Sequence, residues 1–108
     1  MATDGYHREK FSSAISCLVS SADLRTRLEH AFTSLVTVRP ENFSDEALGT
    51  RFAELYERVT AKDAQVEHEG KIRSTLRQMS DDEAERVAQE IVDINTQLLL
   101  QANPNLFG

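Results

Sequence analysis

The pattern of apolar and polar residues along this chain has the period of α-helices. Its clearest stretch runs from Ser80 to Ala102, where apolar residues recur at the spacing of one helical face. Ser80 and Glu83 form a capping box, and acidic residues occupy the first turn, where the helix dipole is positive. The stretch therefore predicts a long final helix with a broad apolar face, built from Ala84, Val87, Ala88, Ile91, Ile94, Leu98 and Ala102.

Two earlier segments carry the same helical periodicity. The first helix is predicted from about Tyr6 to Val19, and the second from about residue 22 to residue 38. The join between them is short, so they are either antiparallel neighbours or one bent helix. Pro40 ends the second helix, because proline disfavours helical geometry in the residue before it.

A third helix is predicted to start at Ser44, to be long, and to be kinked near Gly70. Phe43 and Leu48 flank Ser44 at the spacing of a hydrophobic staple around an N-cap. The apolar stripe reaches Val66, but when it resumes at Ile72 it lies about 100° further round the helix. A kink or a break explains this slip, and so does a straight helix that offers different faces to different partners. Glycine costs about 1 kcal/mol in a helix interior, so we expect the helix not to run straight through residues 67–71.

These segments predict an all-α protein, an up-and-down helical bundle of four to five helices. More than about two thirds of the residues are expected to be helical, well above the average for globular proteins. A chain of 108 residues builds one core, so we expect a single helical domain over residues 1–108. Residues 1–5 and 103–108 are expected to be flexible.

The charge of the chain limits the classes of partner that it is expected to bind. The formal net charge is −6, and all of it arises in residues 39–108, because acids and bases balance in residues 1–38. An acidic surface repels phosphate, which disfavours nucleic acid, and it suits a basic partner surface. There is no apolar run long enough to span a membrane, no apolar stretch typical of a signal peptide, and one cysteine only. We therefore expect a cytoplasmic protein without membrane contact.

The residue types that carry chemistry form no familiar catalytic or metal-binding pattern. His7, His30 and His68 lack the Glu-x-x-His spacing of di-metal bundles and the paired histidines of zinc proteases. The sequence has no glycine-rich phosphate loop. We expect no metal and no cofactor, and the sequence favours a protein that is not an enzyme.

One short motif offers an enzymatic alternative. Arg25 and His30 have an Arg-x4-His spacing, and the polar Thr26 follows the arginine. This motif resembles that of HEPN-domain ribonucleases, which are also small helical bundles. The resemblance implies an RNA-cleaving site in which Arg25 and His30 converge in a groove. On a regular helix the two side chains point about 140° apart, so convergence needs a dimer or a distorted turn.

A second alternative is binding of RNA or another anion by the basic run of Lys71, Arg73 and Arg77. The competing interpretation is that these side chains pair with acidic residues of the following helix. The negative net charge also opposes an RNA-binding role.

The end of the last helix carries the residues expected to meet a partner. Asn95 lies within the apolar stripe, where it either bonds a neighbouring helix in the core or fixes the register between two chains. The predicted interface consists of Asn95, Leu98, Leu99, Leu100 and Phe107, and a homodimer is its expected product. The sequence thus predicts a non-enzymatic protein–protein interaction module, such as an adaptor, an inhibitor or antitoxin-like protein, or an assembly subunit.

Overall fold

In the computed structural model, five α-helices make up most of the part of the chain that the structure describes, residues 3–103. They are α1 (Thr3–Leu18), α2 (Leu24–Ser34), α3 (Glu46–Val59), α4 (Lys71–Gln78) and α5 (Asp81–Ala102), with a short 3-10 helix at Pro40–Asn42 before α3. Helical residues form 73% of this part, which contains no strand. The predicted all-α bundle of four to five helices is confirmed. Of the stretches expected to be flexible, residues 1–2 and 104–108 lie outside the described part, and residues 3–5 belong to α1.

The buried apolar side chains form one cluster to which all five helices contribute. The helix α1 packs against α2 and α5, while α3 packs against α4 and α5. Aromatic rings join α1, the segment before α3, and α3 itself, since the Phe52 ring lies 5.8 Å from the rings of both Phe11 and Phe43. The stripe predicted on the last helix is buried at Ala84, Val87, Ile91, Ile94 and Leu98.

The first two helices are separate elements rather than one bent helix. Asp23 is the N-cap of α2, and its carboxylate accepts hydrogen bonds from the Thr26 backbone N–H and hydroxyl, both at 3.0 Å. Arg27 donates to the carbonyl oxygens of Leu18 (2.8 Å) and Ala22 (2.9 Å), so it satisfies acceptors in the turn between the helices. The two helices then pack directly against each other.

The helix α3 starts one residue later than predicted. Asp45 is the N-cap instead of Ser44, because its Oδ1 accepts from the backbone N–H groups of Ala47 (2.9 Å) and Leu48 (3.3 Å). The other oxygen, Oδ2, accepts from Nε2 of Gln101 at 2.6 Å. This contact fastens the end of α5 to the start of α3.

The predicted long third helix is two helices, α3 and α4, separated by a loop over residues 60–70. The predicted discontinuity at residues 67–71 is therefore present, but it is a complete break rather than a kink. Gly70 has φ 76° and ψ 160°, a backbone conformation almost restricted to glycine, and it forms the N-cap of α4. Val66, which we placed on the helix face, is 63% exposed in the loop.

Buried polar side chains of α4 hold this loop in place. The Thr75 hydroxyl oxygen accepts from the Lys62 backbone N–H at 2.9 Å, and the Ser74 hydroxyl donates to the Asp63 carbonyl oxygen at 2.7 Å. Both side chains are buried, at positions where a helix stripe would normally carry apolar residues. The inner face of α4 thus buries Leu76 and also forms hydrogen bonds to the backbone of the loop.

The start and end of α5 agree with the sequence pattern. The Ser80 hydroxyl oxygen accepts from the Glu83 backbone N–H at 3.1 Å, as the capping box predicts. The helix ends at Ala102, and Asn103 is its C-cap.

Candidate interaction surfaces

The residues predicted to form an interface on α5 differ in accessibility. Leu98 is 1% exposed and belongs to the core, so a partner chain cannot reach it in the folded protein. Asn95, Leu99 and Leu100 are half-buried and retain accessible surface. Phe107 lies outside the described residues.

Beside the core stripe, α5 carries a second stripe of mostly apolar residues. Ala88, Val92, Asn95 and Leu99 are three or four residues apart, which places them on one face of the helix. Val92 is 37% exposed, and the other three are half-buried. The Asn95 side chain makes no hydrogen bond to any described residue, so it does not bond a neighbouring helix there. The sequence had indicated Asn95 and Leu99 but not Val92, although the spacing would have found it.

Arg25 links α2 to the junction of α4 with α5 by hydrogen bonds. Its Nε donates to the Leu76 carbonyl oxygen (2.8 Å), its Nη2 to the Met79 carbonyl oxygen (2.6 Å), and its Nη1 to Asp81 (2.8 Å). Arg25 and the exposed His30 both line a groove of about 410 Å³. No hydrogen bond between described residues joins them, and each guanidinium nitrogen already has an acceptor.

Each member of the predicted basic run has an acidic partner within the described part of the chain. Arg73 pairs with Glu29 of α2 (2.8 Å), and Lys71 lies 3.9 Å from Asp63. The partner acids belong to α2 and to the loop, not to the following helix as the competing interpretation held.

Arg77 completes the run and forms the most enclosed of these pairs. The Glu69 carboxylate, only 3% exposed, accepts from Nε of Arg77 at 2.7 Å and from the Gln65 backbone N–H at 2.9 Å. These two donors lower the pKa of Glu69 to about 2, because they stabilise the charged carboxylate. The same contact raises the pKa of Arg77.

Three adjacent surface depressions border α3, and together we call them the α3 groove. Its middle, about 220 Å³, is lined mainly by apolar surface of Val38, Pro40, Phe52, Ala53 and Tyr56. On one side lies a part of about 630 Å³, which shares the lining residues Tyr56 and Thr60 with the middle. On the other side lies a part of about 710 Å³, which shares Pro40, Ala53 and Glu57 with it. The three parts are therefore neighbours on the surface.

The part near the start of α3 is lined by glutamates, and we call it the acidic end. Glu41 lies in the 3-10 helix, whereas Glu46, Glu54 and Glu57 lie on α3. Gly49 lines the same part and lets the 3-10 helix approach α3 closely, because a Cβ atom at this position would clash with the Pro40 carbonyl oxygen.

The opposite part, next to α2 and α4, combines apolar surface with paired charges. Phe32, Val36 and Ile72 line it, and Val36 is 53% exposed. The Glu29–Arg73 pair and the Glu69 carboxylate lie along the same part. Lys71 and Arg73 line this part, whereas no described lysine or arginine lines the acidic end.

Sequence reasoning missed the α3 groove, although part of its signal was present. Residues 46, 50, 53, 54 and 57 are spaced to share one face of α3, which lies opposite the buried face of Leu48, Phe52, Leu55 and Val59. The pattern does not tell whether neighbouring elements cover that face. Here the 3-10 helix and α2 flank it and leave it open.

Among the described residues, no helix is long and apolar enough to cross a membrane. Within the same part, no three His, Cys, Asp or Glu side chains gather closely enough to hold a metal ion. No protein-family model, curated protein or solved structure matches this chain.

Proposed function

We propose that the protein is a non-enzymatic protein–protein interaction module that binds a helical segment of a partner in the α3 groove. The observation that supports this proposal is the row of three adjacent depressions along α3, with an apolar middle that no described residue fills. The 14 residues of α3 give it a length of about 21 Å, which fits about four turns of a second helix. Binding of an amphipathic helix in an apolar groove is a common mode of peptide recognition.

Tyr56 is the anchor that we assign to this interaction. It is half-buried, and its ring lies 6.0 Å from the Phe52 ring and 6.4 Å from the Phe32 ring, which hold it in place. Its hydroxyl makes no hydrogen bond to a described residue and stays available to a partner. Tyrosine combines a rigid apolar ring with a polar tip, and this explains its enrichment at interfaces.

The alternative functions receive less support. A HEPN-like ribonuclease needs Arg25 free to contact RNA, but its three nitrogens are engaged by Leu76, Met79 and Asp81. RNA or anion binding by the basic run needs unpaired cations, whereas Arg73 and Arg77 are each bound to a glutamate.

The experiment that tests the groove is a comparison of captured proteins. Ala53 lines both the acidic end and the apolar middle, so Ala53→Trp should fill the groove. Ala47→Trp is the matched control, because Ala47 is exposed on the same helix and lines none of the three parts. Tagged wild type and both variants are used for affinity capture from cells, followed by quantitative mass spectrometry and a circular dichroism check of folding. Proteins captured by wild type and the control but lost with Ala53→Trp support the proposal, and an unchanged set contradicts it.

We further propose that the protein forms a homodimer through the second apolar stripe of α5. Val92 and Leu99 offer apolar surface on either side of Asn95, and a polar residue in such a seam can fix the register of two helices. A C2 pair would bury the same stripe on both chains. The dimer interface would lie on α5, so the α3 groove is a separate surface.

A further inference from the structure

The acidic end of the α3 groove is rich in negative charge. Glu41, Glu46, Glu54 and Glu57 line it, and none of these carboxylates has a hydrogen bond or an ion pair with a described residue. Among the described residues that line this part of the groove, none is a lysine or an arginine. Arg39 lines the apolar middle, where its Nη1 donates to the Val36 carbonyl oxygen at 3.1 Å.

Elsewhere in the described part of the chain, acidic side chains near the core are paired with arginines. Glu29 is bound by Arg73, Glu69 by Arg77, and Glu90 by Arg51 through two bonds of 2.9 and 3.0 Å. The acidic end differs because its four glutamates are exposed, lie beside apolar surface, and form no ion pair with a described residue. A groove of this charge is complementary to a positively charged partner.

The arrangement of the glutamates suits an extended partner rather than a single ion. Glu46 and Glu57 are 11 residues apart on α3, which separates them by about 16 Å along the helix. At 100° per residue, Glu46, Glu54 and Glu57 fall within about 80° of one another and share one face. Basic residues one helical turn apart on a second helix could meet them in succession.

We propose that the α3 groove binds a basic amphipathic helix of another protein, whose apolar face covers Tyr56 and whose lysines or arginines meet Glu41, Glu46, Glu54 and Glu57. This proposal rests on the proposed function and adds the chemistry of the partner. Nucleic acid and anionic lipid are unsuited to the acidic end, because their phosphates would be repelled. A second copy of this chain is also disfavoured, because its net charge is −6.

A displayed peptide library tests the charge of the partner on the wild-type protein. Each peptide carries leucine or alanine at helical spacing on one face and a random choice of Lys, Glu, Gln or Ser elsewhere. We expect the enriched peptides to carry a net positive charge and to lose binding to Ala53→Trp but not to Ala47→Trp. Enriched peptides that are neutral or acidic would overturn the proposal, and this result does not depend on the folding of any charge variant.

Charge variants then locate the contact. The enriched peptide, made synthetically and labelled, is titrated with Glu46→Gln/Glu54→Gln/Glu57→Gln and followed by fluorescence anisotropy. We expect the Kd to rise about tenfold, and to rise also with salt in the wild type because the Debye length shortens. The control Glu9→Gln/Asp82→Asn/Glu85→Gln removes the same charge from exposed sites away from the groove and should change Kd less than about twofold.

The outcomes separate the two proposals. Equal weakening by both triple variants would overturn the inference, since net charge alone would then explain binding. Neutral peptides that depend on Ala53 would keep the interaction module and overturn the basic partner. If no selected peptide depends on the groove, both proposals fail.

Discussion

Nε of Arg77 lies 2.7 Å from Oε2 of Glu69, and this ion pair joins α4 to the loop that precedes it. Arg77 also donates through Nη2 to the Gln65 side chain at 2.7 Å. The loop over residues 60–70 contributes little apolar contact, because every residue from 61 to 68 is exposed. Its conformation therefore depends on charged and polar contacts with α4.

The first prediction concerns Glu69→Gln. The folded pKa of Glu69 is about 2, against about 4.5 for an unperturbed glutamate, so the charged carboxylate stabilises the fold. This contribution is complete above pH 4.5 and is lost as the pH falls towards 2. We expect Glu69→Gln to lower the free energy of unfolding at pH 7 and to differ less from wild type at pH 3, as measured by urea denaturation.

The control for this prediction is Glu67→Gln in the same loop. The Glu67 side chain is 88% exposed and lies 3.4 Å from the equally exposed His68, so it should contribute little. We expect its urea midpoint to match that of wild type at both pH values. A Glu69→Gln difference that is as large at pH 3 as at pH 7 would contradict the assigned role of the charge.

The second prediction concerns Gly70→Ala. A Cβ atom at Gly70 would have no heavy atom within 4 Å, so any effect comes from the backbone alone. Because φ is 76° and ψ is 160°, we expect the substitution to lower the free energy of unfolding by about 1–3 kcal/mol. In a straight helix the same change would stabilise the protein by about 1 kcal/mol. Thermal denaturation distinguishes the two structures, because the melting temperature falls in one case and rises in the other.

Gly5→Ala supplies the matched control, since Gly5 lies in α1 and its added Cβ atom would make only an ordinary contact with Arg8 at 3.6 Å. We expect it to leave stability unchanged or to raise it slightly. Destabilisation by both substitutions to the same extent would mean that the Gly70 conformation is not the cause.

The third prediction concerns His7, which is 2% exposed and packs its ring 4.3 Å from the Phe43 ring. Burial lowers the pKa of His7, while Asp4, with Oδ1 3.7 Å from Nδ1, opposes this effect. The unfolded chain therefore binds the proton more readily than the folded protein. We expect the free energy of unfolding to fall as the pH drops below about 6.5.

His7→Phe should remove this dependence, because a phenyl ring suits the apolar contact with Phe43 and does not titrate. His30→Gln is the control, since His30 is exposed and should leave the wild-type profile intact. Chemical denaturation at pH 7.5, 6.5 and 5.5 measures all three proteins. If His7→Phe keeps the wild-type slope over this range, another group is responsible.

The elements that could be predicted from the sequence are those whose determinants are local. Ser80 and Glu83 are three residues apart and form the capping contact that their spacing indicates. The buried face of α5 follows from periodicity in the same way. The sequence showed the break after Val59 only as a shift of the apolar stripe around the helix. The contacts that stabilise the loop join Lys62 to Thr75 and Asp63 to Ser74, which are far apart in the sequence.

The candidate site was less predictable for the same physical reason. The α3 groove requires Gly49 to admit the Pro40 turn, a contact that no helical pattern encodes. Leu98 and Leu99 are consecutive leucines, yet the first is buried and the second keeps accessible surface. The accessibility of each leucine depends on how the neighbouring helices pack. The structure is therefore needed to tell which residues of the predicted interface a partner could contact.

The last prediction concerns the homodimer proposed on α5. We expect sedimentation equilibrium at micromolar concentration to report a dimer for the wild type. Leu99→Lys places a charge within the stripe of Val92 and Asn95, so it should shift the protein to monomer without unfolding it. Full burial of a leucine contributes about 1.5–3 kcal/mol, and Leu99 is half-buried, so one residue per chain can account for a measurable part of the association.

Gln97→Lys is the control for this experiment, because Gln97 is exposed two residues earlier on the same helix and lies off the stripe. The added charge is identical, so any dissociation that comes from charge alone should appear in both variants. Leu100→Lys extends the test to the neighbouring half-buried leucine. A wild-type monomer at micromolar concentration, or a Leu99→Lys protein that unfolds without first dissociating, would rule out this interface.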